Sequence, residues 1–270
     1  MGYSRAEINF TLNYFPDVNQ QPIQPNLPYN AMLIKIIQAS AYFFTLKDLG
    51  ELNLLNKSFN TELLNERVCM HICCQKLKYT SIKCLDYINI IPHFNNLTGI
   101  KVKSYKDMFK CLKNTYNLIK NPYGAEGFDN WEVFHGGDQI IIENRGTFKD
   151  HSCIFVTSFE WCSLIQEIVV PDGKNRVLVA GVICGRRSDC GSAAEMIIKT
   201  QFEEKKILEN MPTPGVPDSW KLMTLKFDIG PDPTIINTTF LGKDTQYWKG
   251  HYGARIGHCF VMAVDYPIIE

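Results

Sequence analysis

What this sequence lacks narrows it first. It has no charge excess: 28 basic and 28 acidic residues leave a formal net charge of zero, so there is no electrostatic case for nucleic acid or an anionic membrane. It has no apolar run long enough for a membrane-spanning helix, which needs roughly 18 residues or more. The opening MGYSRAEINF has no apolar run and no secretion-type cleavage signal. Gly2 does not begin a myristoylation motif, because Ala6 stands where that motif wants Ser or Thr. These absences predict a cytoplasmic protein without membrane insertion and without a nucleic-acid partner.

Cysteine, by contrast, is plentiful, at 10 of 270 residues. The cysteines are scattered in apolar surroundings, as in FEWCSL, GVICG and HCFVM, which suits buried, reduced thiols rather than a disulfide framework. Cys69, His71, Cys73 and Cys74 stand close enough on a helix to suggest metal, but no separate C-x-x-C pair completes a tetrahedral zinc site. Packing is the preferred reading, and no metal or cofactor is expected. Sequons begin at Asn9, Asn56, Asn96 and Asn237; Asn56 falls in a predicted helix, so the matched tripeptide says little.

Taken in order, residues 1–26 carry Pro16, Pro22 and Pro25 among Asn and Gln and read as an extended arm. Residues 27–78 read as a small helical domain. Met32, Leu33, Ile36 and Ile37 line a first helix; TLKD at Thr45–Asp48 is a capping-box pattern; Leu49, Leu52, Leu55, Phe59 and Leu63 form an amphipathic stripe; and Val68, Ile72 and Leu77 mark a third helix. So small a unit buries little surface alone and gains stability by docking on a partner. Residues 79–120 read as a linker, with a turn at Asn95-Asn96 and Gly99. A helix is expected along Tyr105, Met108, Phe109, Leu112, Tyr116 and Ile119, ended by Asn121-Pro122.

From about residue 130 the period changes from helix to strand. WEVF and QIIIENRG, joined by the HGGD turn, are followed by IFVTSF, SLIQEIVV, NRVLVAGVICG, AEMIIKTQF, SWKLMTLKF, TIINTTFL and HCFVMAV. Many short strands without long intervening helices predict an antiparallel β-sandwich over 121–270. One of its loops, DTQYWKGHYGARI at residues 244–256, concentrates Tyr247, Trp248, His251 and Tyr252 among glycines. Rings on a loop with little net charge suit a neutral amphipathic ligand such as a sugar, whose C–H face stacks on Trp. On local composition alone the preferred reading is plainer: Trp248 and Tyr252 plug the end of a sandwich.

The blocks NLIKNPYGAEGFDNWEVFHGGD, FVTSFEWC, GRRSDCG and GKDTQYWKGHYGARI, in that order, resemble the F-box-associated domain, and more narrowly the branch of F-box proteins that recognises N-linked glycans. LP at Leu27-Pro28, AMLIKII and TLKDLGELNLLNKSF look like an F-box. The resemblance implies an α+β multidomain chain: F-box-like helices, a linker helix, and a jelly-roll-like, galactose-binding-like sandwich. It implies the substrate-recognition subunit of an SCF-type ubiquitin ligase, not itself an enzyme. Its partners would be a Skp-type adaptor, a cullin–RING ligase reached through that adaptor, and misfolded proteins bearing high-mannose N-glycans with a chitobiose core, marked for ER-associated degradation. On that resemblance Leu27, Pro28, Leu33, Ile36, Leu49, Leu52 and Leu55 face the adaptor. Tyr247, Trp248 and Lys249 meet the glycan, joined by Phe159 or alternatively Phe155. Asp189 and Arg255 would order loops.

Two other classes stay open. One is a protein- or glycan-binding module outside ubiquitin ligation. The other is a cysteine enzyme built on Cys190, with His251 or His258 as base, which requires the thiol within hydrogen-bond reach of an imidazole.

Overall fold

The computed structural model describes residues 66–77, 80, 90–144, 153–212 and 220–266, all within a unit running Leu64–Glu270. The extended arm, the first two expected helices and the adaptor-facing positions Leu27, Pro28, Leu33, Ile36, Leu49, Leu52 and Leu55 lie outside the described residues.

Three helices come first: α1 (Glu66–Leu77), α2 (Ile90–Thr98) and α3 (Tyr105–Leu112). They are followed by β1 (Glu132–Phe134), β2 (Ile141–Glu143), β3 (Ile154–Val156), β4 (Cys162–Val170) and β5 (Arg176–Gly185). The chain ends in β6 (Ser192–Thr200), β7 (Glu204–Met211), β8 (Trp220–Ile229), β9 (Thr234–Asp244) and β10 (Arg255–Asp265). The strands form two five-stranded sheets, ordered β1-β4-β9-β6-β7 and β2-β3-β10-β5-β8, and every pairing is antiparallel. The architecture is thus α+β, with the antiparallel sandwich that the strand pattern predicts.

Side-chain alternation explains the layers. On β4 the inward residues Leu164, Ile168 and Val170 are buried, while Glu167 and Val169 face solvent. They meet Leu178, Ala180, Val182 and Cys184 of β5 and Cys259 and Val261 of β10 in one core. The opposite faces of β5 and β10 carry Val177, Val179, Phe260, Met262 and Val264, which pack with Phe94, Leu97, Met108 and Leu112 of the helices. Both strands are therefore covered on two faces, which is why NRVLVAGVICG and HCFVMAV read as unbroken apolar runs. Gly181 makes room for this arrangement: a Cβ there would stand 2.2 Å from the Phe260 ring.

Several local expectations are corrected. The helix expected to reach Ile119 stops at Leu112, although it begins cleanly, with the Ser104 Oγ accepting the Asp107 N–H at 3.1 Å. Beyond it, residues 115–122 run along the edge of β10. Leu118 N–H donates to the Val261 carbonyl (2.8 Å), Asn117 bonds Cys259 and Val261 through its amide, and Cys259 N–H donates to the Pro122 carbonyl (3.0 Å). A free strand edge competes successfully with a fourth helical turn, and Ile119 reaches the core from an extended chain. Asn95-Asn96, expected in a turn, lie inside α2; the Asn95 amide instead clasps Val102 at both backbone groups. The HGGD segment does not close a hairpin, because β1 and β2 belong to different sheets.

Strand β7 was not anticipated. Exposure alternates along its residues EKKILENM at the edge of a sheet, but the residue types do not, so its polar composition masks the period of two. Charged residues are a common protection for an edge strand. Among the described residues no helix is long and apolar enough to cross a membrane.

Candidate functional site

The turn between β9 and β10, residues 245–254, is tied down at every few residues. At its entry the Asp244 Oδ1 accepts the N–H groups of Gln246 (2.6 Å) and Tyr247 (3.0 Å), an Asx turn that sets the backbone direction before the aromatic pair. Asp244 N–H donates to the Ser158 carbonyl at 2.8 Å, and Thr245 N–H to Gly191 at 3.1 Å. Asp244 itself is 3% exposed.

The far side is clamped by the HGGD segment. The Asp138 carboxylate accepts the Gly250 N–H at 2.6 Å, and its carbonyl accepts a hydrogen bond from His251 Nε2 at 2.8 Å. Ser158 joins the two loops: its hydroxyl accepts Asp138 N–H (2.8 Å) and donates to the Gly250 carbonyl (2.9 Å). Gly250 sits at φ +85°, the left-handed region, and a Cβ there would also press on the Tyr252 ring at 2.6 Å. At the exit Gly253 and Ala254 bond to Thr157.

Held this way, the loop projects its rings outward. Trp248 is 80% exposed, Tyr247 44% and Tyr252 38%, and Lys249 is exposed beside them. Tyr252 is braced from below: the Arg187 guanidinium lies 5.5 Å from its ring centroid, and the ring meets Tyr247 at 5.4 Å, tilted by 52°. Arg187 is in turn paired with Glu143, which also holds Arg255 at 3.7 Å. Arg255 thus orders the loop base through a carboxylate. The resulting surface has neutral aromatic faces and hydrogen-bonding groups, and it is open rather than enclosed. The end-plug reading does not describe Trp248, most of whose surface stands in water.

Phe159 is half-buried against Gly137, at the same end of the sandwich. Phe155, the alternative, is wholly buried among Phe128 and Trp131 in the core and has no face to offer a ligand. Asp189 accepts a hydrogen bond from the Cys190 thiol at 3.3 Å. Burial, with that bond and the Asp189 charge, pushes the Cys190 thiol up to about 12, the reverse of what a nucleophile needs. His251 is engaged with Asp138, and His258 is buried between the rings of Tyr123 and Phe260. The Cys190 enzyme reading therefore has no geometric support.

Cys69 and Cys73 are buried, and burial raises the Cys73 thiol well above its ordinary value. Among the described residues no group of three or more His, Cys, Asp or Glu is placed to hold a metal ion. The residues that sequence reasoning missed are the ones that hold the loop: Asp138, Ser158, Glu143, Arg187 and Asp244. For Asp138, Ser158, Arg187 and Asp244 the only sequence signal is membership of the HGGD, FVTSFEWC, GRRSDCG and GKD blocks, and for Glu143 its place in QIIIENRG, which says nothing of whom they touch.

Fold and site together define an antiparallel β-sandwich with helices behind one sheet and an exposed aromatic loop at one end. Compared with known families, residues 109–263 match the F-box associated region, and the chain belongs to that family. It is 31% identical over 173 residues to F-box only protein 17 of Homo sapiens, covering 56% of this chain and 62% of that protein. It is 30% identical over 166 residues to F-box only protein 27 of Mus musculus, covering 54% and 59%. F-box only protein 2 of Bos taurus is 29% identical over 179 residues, with 56% and 60% covered. The matched region spans about three-fifths of the length of these relatives. Among solved structures, a galactotriose complex of TmCBM61 superposes with a TM-score of 0.40 at 15% identity, covering 54% of this chain and 97% of that one.

Proposed function

We propose that this chain is the substrate-recognition subunit of an SCF-type ubiquitin ligase that reads the high-mannose, chitobiose-core N-glycans of misfolded glycoproteins and directs them to ER-associated degradation. It works in the cytoplasm and has no catalytic activity of its own. A Skp-type adaptor binds its N-terminal segment and links it to a cullin–RING ligase. Within the sandwich, Trp248 stacks on the apolar face of an N-acetylglucosamine ring, Tyr247 and Lys249 hydrogen-bond its hydroxyl and acetamido groups, and Phe159 contacts sugar from the neighbouring loop.

The observation that carries the reading is the exposure of Trp248 at 80%, on a loop that buried Asp244 and the Asp138 clamp hold in one conformation. A large ring kept in water by a rigid backbone is poised to bind, since little ordering entropy remains to be lost. The family membership and the relatives named F-box only proteins support the ligase half.

The test is a glycan array probed with the full chain and with Trp248→Ala. The parent should bind chitobiose-containing glycans, and the variant should lose roughly 1–3 kcal/mol, by analogy with base–aromatic stacking. Its melting temperature should stay unchanged, because so exposed a side chain contributes little to the fold. Unchanged binding by the variant would remove the glycan assignment. Failure of the full chain to form a complex with a Skp-type adaptor at micromolar concentration would leave a binding module outside ubiquitin ligation.

A further inference from the structure

The two sheets treat their edges differently. In the sheet that carries β10, β3 meets β10 only at Arg255 and Ile256, and the edge of β10 beyond them is followed by residues 115–122 through the bonds of Leu118, Asn117 and Pro122. In the other sheet, β1 pairs with β4 only over Ser163–Ile165. Among the described residues no strand pairs with β4 beyond that point on the same side. In its place is a groove of about 630 Å³, lined by Tyr116, Lys120, Glu132, Glu167 and Val169 among others. The buried Gln166 side chain bonds both backbone groups of Lys120 and the Asn130 carbonyl, which fixes the groove wall.

Three features identify the occupant. The lane of β1 continues in register along Gln166–Val170, so a chain entering it meets a strand edge and must be extended. Tyr116 and Val169 stand 61% and 60% exposed on its flanks, apolar surface that an added strand would cover. Glu132 and Glu167 are exposed at the same groove, and neither makes a salt bridge among the described residues.

We propose that this groove is a strand-addition site for an extended peptide of a partner protein, with an apolar residue followed two positions later by Lys or Arg. The spacing follows from the ladder. Glu167 and Val169 share the outward face of β4. An antiparallel strand placed beside them presents the residue next to Val169 two positions before the residue next to Glu167. The groove runs along β4 away from the aromatic loop, so the site is independent of glycan binding.

The experiment is selection of random eight-residue peptides on the immobilised full chain, followed by fluorescence anisotropy with the enriched peptide. Enrichment of the pattern apolar-x-Lys/Arg is expected, with affinity lost when proline replaces the intervening residue. In Glu167→Lys, an exposed change that leaves the core untouched, affinity for the basic peptide should fall by roughly tenfold, since an exposed attraction becomes a repulsion. The selected pattern should then shift to apolar-x-Asp/Glu. No enriched pattern, equal binding by the proline peptide, or an affinity indifferent to Glu167→Lys would overturn the proposal. So would self-association of the chain that Glu167→Lys abolishes without any peptide binding, because the occupant would then be a second copy.

Discussion

Asp244 is the residue on which the shape of the aromatic loop depends most directly, and its replacement has a calculable consequence. Its Oδ1 receives two backbone N–H groups, from Gln246 at 2.6 Å and Tyr247 at 3.0 Å. Hydrogen bonds to a charged acceptor contribute about 1.5–3 kcal/mol each where water is excluded. Both donors belong to exposed residues and regain water when released, so the lower end of that range applies, and part of it is recovered. Asp244→Ala is therefore expected to cost about 2 kcal/mol, or roughly 4–8 °C of melting temperature for a unit of this size. Asp244→Asn is the discriminating companion. It keeps an acceptor at Oδ1, and it places an amide N–H where Oδ2 has no hydrogen-bond partner among the described residues, on the strand directly opposite Ser192, whose hydroxyl likewise has none among them. The asparagine variant should lie within about 0.5 kcal/mol of the parent. Differential scanning calorimetry reads both. An alanine variant that melts with the parent, or an asparagine variant as weak as alanine, would refute the assignment of Asp244 as the anchor of the loop.

Other consequences are simpler to state. Burial raises the Cys184 thiol to about 12 and the Cys111 thiol to about 11. Above the ordinary thiol range the unfolded chain loses these protons while the folded chain keeps them, so this contribution to stability is complete below about pH 8.5 and is lost as pH rises towards those values. The melting temperature should fall steeply between pH 9 and 11, and less steeply in Cys184→Ala; equal slopes would contradict the linkage. Gly181→Ala drives a methyl to 2.2 Å from the Phe260 ring, and overpacking at a strand covered on both faces should cost about 1–3 kcal/mol, measured by urea denaturation.

The parts of this molecule that were legible in its sequence are those governed by local periodicity. β4, β5, β8, β9 and β10 lie where alternation or apolar runs place them, because each is 9 to 11 residues long and carries enough apolar or β-branched residues for the pattern to show. β7 is hidden in the sequence because its Glu and Lys residues lie on both faces and Leu208 lies on the exposed one, so residue type does not follow the period of two. The helix ending at Leu112 escaped because apolar spacing continues through Tyr116 and Ile119, and only the free edge of β10, 142 residues away at Cys259, explains why the chain straightens. Local pattern cannot contain that competitor.

The same distinction separates the two kinds of residue at the aromatic loop. Tyr247 and Trp248 stand out in the sequence as rings among glycines, but composition alone favours an end-plug, and their role with Lys249 toward a ligand comes only from the family resemblance. The residues that fix them come from three other loops, and the Gly250–Asp138 bond joins positions 112 apart in sequence. That division has a mechanical reason. A ligand-facing side chain must reach water from a tip, and tips are contiguous in sequence, whereas rigidity at a tip has to be supplied by neighbours that sheet closure brings alongside. In a sandwich whose β4 and β9 pair from Cys162–Gly242 to Val170–Thr234, the register that buries the core also sets Ser158 beneath Asp244 and Gly250. A one-residue slip of β4 against β9 would turn its core residues outward and would release the loop in the same event. The pairing of β4 with β9 and the anchoring of the aromatic loop therefore share the same strand, because Asp244, which accepts the Gln246 and Tyr247 N–H groups, is the last residue of β9.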